Sequence, residues 1–204
     1  MAQRWVGVVA ILTVASLLGD PAEGADFWVK GGLARSTLAA GDTWSPATGF
    51  TAGGFARVGL SGPTSLRMEI LFTRKAARAA LSDGEAEIES SMKLDYLEVP
   101  ILLERTLIKR GNVAAVILGG AFGGINTAAR NDFTIGEVHL GENARPDVRR
   151  GDFGVVGGVG VEFDALGRVW IAEARYALGL VTVSKEEGLD WRTRALSVTA
   201  GVRF

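Results

Sequence analysis

From about position 26 onward the chain alternates apolar and polar residues with period 2, the signature of strands rather than helices. In FWVKGGLA (27–34), Phe27, Val29, Gly31 and Leu33 share one face and Lys30 stands on the other. In FTAGGFARVGL (50–60), Ala52, Gly54, Ala56 and Val58 oppose Thr51, Phe55 and Arg57. LRMEILFTRK (66–75) sets Leu66, Met68, Ile70 and Phe72 against Arg67, Glu69, Leu71, Thr73 and Lys75. LDYLEVPILLE (94–104) sets Leu97, Val99, Ile101 and Leu103 against Tyr96, Glu98, Pro100 and Glu104. NVAAVILGGAFGG (112–124) is apolar on both faces. FGVVGGVGVEF (153–163) and VWIAEARYALGL (169–180) alternate again, with Glu162, Glu173 and Arg175 on their polar sides. The last segment, ALSVTAGVRF (195–204), places Leu196, Val198, Ala200, Val202 and Phe204 on one face and Arg203 on the other. Eight strands are expected.

The connections also alternate. SGPTS (61–65), the stretch around KRGN (109–112) and DALGR (164–168) are short; 35–49, 76–91 and 125–151 are long, and 181–193 is intermediate. An antiparallel meander puts all the short turns at one end. That is the layout of an outer-membrane barrel, with short periplasmic turns and long extracellular loops. The expected fold is therefore all-β: an eight-stranded antiparallel up-and-down transmembrane β-barrel. Closure requires the final strand to pair with the first, because an open sheet edge is not tolerated in hydrocarbon.

The two faces divide by charge. One parity is nearly free of charge; the other carries Lys30, Arg57, Arg67, Glu69, Lys75, Glu98, Glu104, Glu162, Glu173, Arg175 and Arg203. A Lys or Arg facing lipid at the bilayer midplane costs about 2–4 kcal/mol, so the apolar parity is assigned to lipid and the charged parity to the lumen. A secreted lipocalin-like barrel carrying an apolar ligand would reverse both assignments. It is disfavoured by the N-terminus, the loop lengths and the absence of a Gly-x-Trp near the first strand. The helix-dimer spacing of Gly119/Gly123 and Gly120/Gly124 would also suit a transmembrane helix over 111–129. The glycine content and the place of this segment in a series of strands favour a strand.

The first 25 residues change the compartment. Arg4 precedes an uncharged run from Trp5 to Gly19, then small residues and Pro21. This is the layout of a secretory signal peptide. The expected organisation is a signal peptide over 1–25, cleaved after Ala25, and one barrel domain over 26–204 in the outer membrane. The 204 residues carry a formal net charge of -1 and no Cys. Nucleic acid is not an expected partner. Disulfides and thiolate metal sites are excluded. The mean hydropathy of +0.22 is high for a chain with 22% charged residues, as befits a protein facing two solvents.

The run Tyr96-Leu97-Glu98-Val99-Pro100-Ile101-Leu102-Leu103 resembles the PorT-type outer-membrane β-barrel family of small bacterial barrels. The resemblance implies a place in a Gram-negative envelope and a barrel fold, and says less about activity. The C-terminal alternation, with Leu196, Val198, Val202 and Phe204, is similar to the terminal signature by which barrel assembly machinery recognises its clients. The chain departs from Tyr-rich barrels of this class in having two Tyr. Phe27, Trp28, Trp170 and Phe204 are expected to supply the aromatic girdle. Pro100 cannot donate to a ladder, so a bulge or kink is expected at Glu98–Pro100 on the inner wall.

Eight strands enclose just enough room for side chains, so an open pore is not expected. The inward charges should pair, because an unpaired buried charge is costly. An interior network of Lys30, Glu69, Glu98, Glu173, Arg175 and Arg203 is expected. His139, the only histidine, sits in the longest loop between Glu137 and Glu142; it is read as a solvated loop residue, and no catalytic, cofactor or metal site is assigned. The functional expectation is a structural or interaction barrel. Its partners would be outer-membrane lipid, the assembly machinery and an envelope or extracellular protein reached through loop 125–151, and the barrel would be a monomer. An outer-membrane lipid-modifying enzyme is the alternative.

Overall fold

In a computed structural model the described residues are 25–39, 45–82, 87–135, 138–142, 148–185 and 191–204. For 39, 80–82, 87–89, 133–135 and 138–142 the description extends to the backbone alone. The strands are β1 (Ala25–Ala39), β2 (Ser45–Ser61), β3 (Thr64–Ser82), β4 (Glu87–Arg110), β5 (Val113–Ile135), β6 (Val138–Glu142), β7 (Gly151–Ala165), β8 (Arg168–Gly179) and β9 (Arg192–Arg203). Each neighbouring pair is antiparallel, in the order β4-β3-β2-β1-β9-β8-β7-β5, and β4 pairs with β5 to close the ring. These eight are the expected barrel. The ninth strand, β6, folds back on the far end of β5, pairing Val138 with Ile135 and Glu142 with Asn131. It lies within the expected loop 125–151. The seam falls where closure demands it, with twelve residue pairs between β1 and β9 and the Phe204 amide donating to the Phe27 carbonyl at 3.2 Å. The expected signal peptide lies outside the described residues, apart from Ala25, the first residue of β1.

The three short connections are two-residue hairpins, Gly62–Pro63, Gly111–Asn112 and Leu166–Gly167. Gly62 and Gly111 have φ near +56° and +55°, at the first central position where type II′ turns demand glycine. Leu166 and Gly167 both have positive φ, as in a type I′ turn, so a leucine occupies a position that favours Asn or Gly.

The sheet faces follow the charge argument. Leu33, Ile101, Val159 and Val198 are outward and at least half exposed, whereas Arg67, Glu69, Lys30, Glu104, Glu173 and Arg175 are buried inside. A soluble lipocalin-like barrel would show the opposite, so that alternative is overturned. On β4 the outward apolar residues Leu97, Val99, Ile101 and Leu103 are bounded by Asp95 and Arg105. The ten steps between those two, at about 3.3 Å each on strands tilted about 40°, give an apolar band roughly 25 Å tall. The strands do not stop there. β3, β4 and β5 run on past the band, which makes the long connections shorter than the pattern suggested.

Two expectations need correction. The register of β4 is unbroken at Pro100, which faces inward and pairs with Phe122 of β5. Only the β3 ladder lacks partners for Val99 and Pro100, so the missing donor is absorbed without a bulge. On the β4–β5 ladder the bulges lie elsewhere, between Asp95 and Tyr96, where Thr127 is extra on β5, and between Thr106 and Ile108, where Leu107 is extra on β4. Trp28 is not a girdle residue. It shares the parity of Lys30, is 1% exposed, and stacks on Phe55 with ring centroids 5.4 Å apart.

Candidate functional site: the charged lumen

The lumen is built from alternate residues of all eight barrel strands, and its two walls differ. Leu102, Leu118, Phe122 and Val156, from β4, β5 and β7, form an apolar wall. Facing them, β1, β3 and β8 carry the charges. Arg67 is the centre. Its guanidinium lies 2.6 Å from Glu69, 2.8 Å from Glu104 and 2.6 Å from Glu173, and rests 3.3 Å above the Phe55 ring. A planar fork that binds carboxylates along its edge and a ring on its face suits arginine and not lysine. Arg175 binds Glu69 at 2.7 Å and Glu173 at 2.9 Å. Lys30 lies 2.9 Å from Glu69 and 3.4 Å from Glu173.

The chain of pairs continues toward the turn end. Arg57 binds Glu104 at 2.8 Å, Asp26 at 3.3 Å, and Glu162; Asp26 in turn meets Arg203 at 3.4 Å. Five cations (Lys30, Arg57, Arg67, Arg175, Arg203) and five carboxylates (Asp26, Glu69, Glu104, Glu162, Glu173) therefore balance within one connected network. Neutrality matters because a desolvated charge without its partner costs several kcal/mol.

The structure thus brings Lys30, Glu69, Glu173 and Arg175 together and puts Arg203 at the half-exposed end of the same chain of pairs. It does not bring Glu98 to them. Glu98 belongs to a second cluster, where Lys75 lies 2.9 Å from both Glu98 and Asp152 and Thr73 donates to Glu98 at 2.9 Å. The register explains the separation: Glu98 pairs with Leu71, further along β3 than Arg67 and Glu69. Arg67, Glu104, Arg57, Lys75 and Asp152 were not in the expected network. All but Asp152 stood on the charged parity; nothing in one sequence told which inward charges would share a level.

Small residues make the space. A Cβ added at Gly158 would lie 2.8 Å from Arg175 Cγ, and one at Gly201 would lie 2.9 Å from Lys30 Cβ. Below the network, toward the short turns, a polar vestibule of about 500 Å³ opens between Asp26, Arg57, Lys109, Asn112, Glu162 and Asp164. Above it, Leu38, Met92, Leu94, Tyr96, Val148 and Val183 form an apolar cap with Trp191 packed against it. Val183 enters through the β8–β9 connection, held by its carbonyl to the Arg149 amide at 2.8 Å and by its amide to the Trp191 carbonyl at 2.8 Å. The lumen is therefore a blind vestibule on one side, a paired ionic layer in the middle and an apolar lid on the other.

A closed sheet with lipid outside and balanced charge inside is a small outer-membrane β-barrel, and the protein is an integral protein of that membrane. The chain belongs to the outer membrane protein beta-barrel domain family, whose model matches residues 20–184. Among solved structures, the attachment invasion locus protein (Ail) of Yersinia pestis is similar at 16% identity, over 89% of this chain and 99% of that one, with a TM-score of 0.45. Neisserial surface protein A is similar at 16% identity, over 89% and 100% of the two chains, with a TM-score of 0.47. OprG of Pseudomonas aeruginosa is similar at 12% identity, over 89% and 96%, with a TM-score of 0.41. No curated protein gives a significant match to the chain.

Proposed function

We propose that the protein is a sealed surface barrel that presents an ordered extracellular β-platform to a macromolecular partner of the envelope or the surroundings. The observation that carries this reading is the length of β4 and β5. β4 runs from Glu87 to Arg110 and β5 from Val113 to Ile135, and both pass well beyond the apolar band. Ordering backbone that the membrane does not require costs about 1–2 kcal/mol per residue. Here that cost is offset by a dedicated apolar cap and by the β5–β6 pairing. The β5–β6 part of the platform lies within 125–151, the stretch assigned to partner binding from the sequence. On the same reading the run Tyr96–Leu103 supports membership of the PorT-type subgroup. Residues 1–25 act as a cleaved signal peptide, and Leu196, Val198, Val202 and Phe204 form the signal read by the assembly machinery.

The test is site-specific photo-crosslinking in living cells. A photoreactive residue at His139 on β6 is expected to give a discrete high-mass adduct, and one at lipid-facing Val159 is not. An adduct pattern identical at the two positions, or none from any position in 131–142, would overturn the platform reading.

A further inference from the structure

On the outer face, just above the apolar band, β9 and β1 carry arginines in adjacent register. Arg35 pairs with Leu196, and Arg194 pairs with Thr37 on β1 and with Leu178 on β8. Arg35 and Arg194 are therefore diagonal neighbours across one strand pair, within reach of a single bound group. Arg192 follows two residues along the same face. The row beneath is apolar: Leu33 pairs with Val198, and Leu196 with Tyr176. Two other outward cations on this rim have counterions of their own. Arg74 binds Asp95 at 2.6 Å and Lys93 binds Asp132 at 2.8 Å. Arg35 and Arg194 are exposed, and among the described residues neither has an ion pair.

We propose that Arg35 and Arg194 bind the headgroup phosphate of an outer-leaflet lipid whose acyl chains lie on Leu33, Leu196 and Val198. Three features select that ligand. Two guanidinium forks match the oxygens of a phosphate bidentately. The patch adjoins the lipid-facing band directly, so one molecule can satisfy both the charge and the apolar surface below it. Its height coincides with the headgroup layer, where basic residues gain from anionic lipid. A free anion would use the arginines and leave the apolar row unused.

The experiment is native mass spectrometry of the full chain in detergent, titrated with lipid A, a bis-phosphorylated glycolipid, and with its dephosphorylated form. The native barrel is expected to retain the phosphorylated lipid at least tenfold more tightly than the dephosphorylated one. Arg35→Gln/Arg194→Gln should abolish that preference. Arg105→Gln, outward at the opposite rim, should preserve it, and Arg35→Lys/Arg194→Lys should weaken it in part. Heat-dependent gel mobility establishes that each variant is folded; if the double Gln variant does not fold, Arg35→Gln alone is expected to lose several-fold. Equal retention by the folded Gln variants, equal retention of the dephosphorylated lipid, or full displacement by millimolar inorganic phosphate would each overturn the proposal.

Discussion

Arg67 concentrates the energetics of the lumen in one side chain. It is fully buried, touches three carboxylates and covers the Phe55 ring. Removing one member of a buried ionic cluster strands its partners and costs about 3–5 kcal/mol. Arg67→Met should therefore lower the unfolding midpoint sharply in detergent. Arg67→Met combined with Glu173→Gln should recover part of the loss, because the second change removes one stranded charge; a double variant worse than the sum of the singles would contradict this. On the lipid side the sign is reversed. Ile101 is 52% exposed near the middle of the band, and Ile101→Arg should cost about 2–4 kcal/mol in reversible unfolding from lipid vesicles. Leu166 gives a prediction in the stabilising direction. At φ 55° and 93% exposed, it pays for left-handed backbone and packs on nothing. Leu166→Asn should stabilise the barrel by about 1 kcal/mol, read as a raised unfolding midpoint.

Among the elements, β5 shows how far periodicity reaches. It reads as apolar on both faces because its inward side lines the apolar wall with Leu118 and Phe122. Its alternation then breaks at Thr127, the extra residue opposite Asp95 and Tyr96. Asn126 and Ala129 both point inward, three apart rather than two, and strict alternation has no place for that step. Asp95 already pairs with Ala128 and Tyr96 with Asn126, so deleting Thr127 should close the ladder without moving any later residue across the sheet. The deleted protein is expected to keep its heat-dependent mobility. Inserting one residue after Phe122 should abolish it, since every inward side chain beyond that point would turn to lipid. β6 was not legible as a barrel strand because it is not one: it is short, outside the membrane, and pairs with β5 alone among the described strands.

As a whole molecule, the barrel is closed by neutral pairing rather than by bulk. The ionic layer and the apolar cap lie in series, so planar-bilayer recordings of the native chain should show no steady open channel. Opening would require breaking several coupled ion pairs and withdrawing Val183 from the cap. A persistent conductance of the native barrel that is unaltered by Arg67→Met would contradict a lumen sealed by this layer.

Alternation of residues settled which side chains meet lipid, how many strands cross and where the tight turns fall, because a pleated strand in a two-solvent sheet obeys period 2 wherever it is paired on both sides. The class of the lumen, charged and self-compensating, followed from the cost of charge in hydrocarbon. The partners within the lumen were decided by tertiary structure alone. Lys30 and Glu173 are 143 positions apart and meet through the β1–β9–β8 register, and Glu98 was assigned to Lys75 and Asp152 by the stagger between β3 and β4. Trp28 shares the inward parity of Lys30, so alternation already placed it inside; its stacking on Phe55 needed the β1–β2 register. Stagger and closure are properties of the whole ring of hydrogen bonds, and no single segment encodes them.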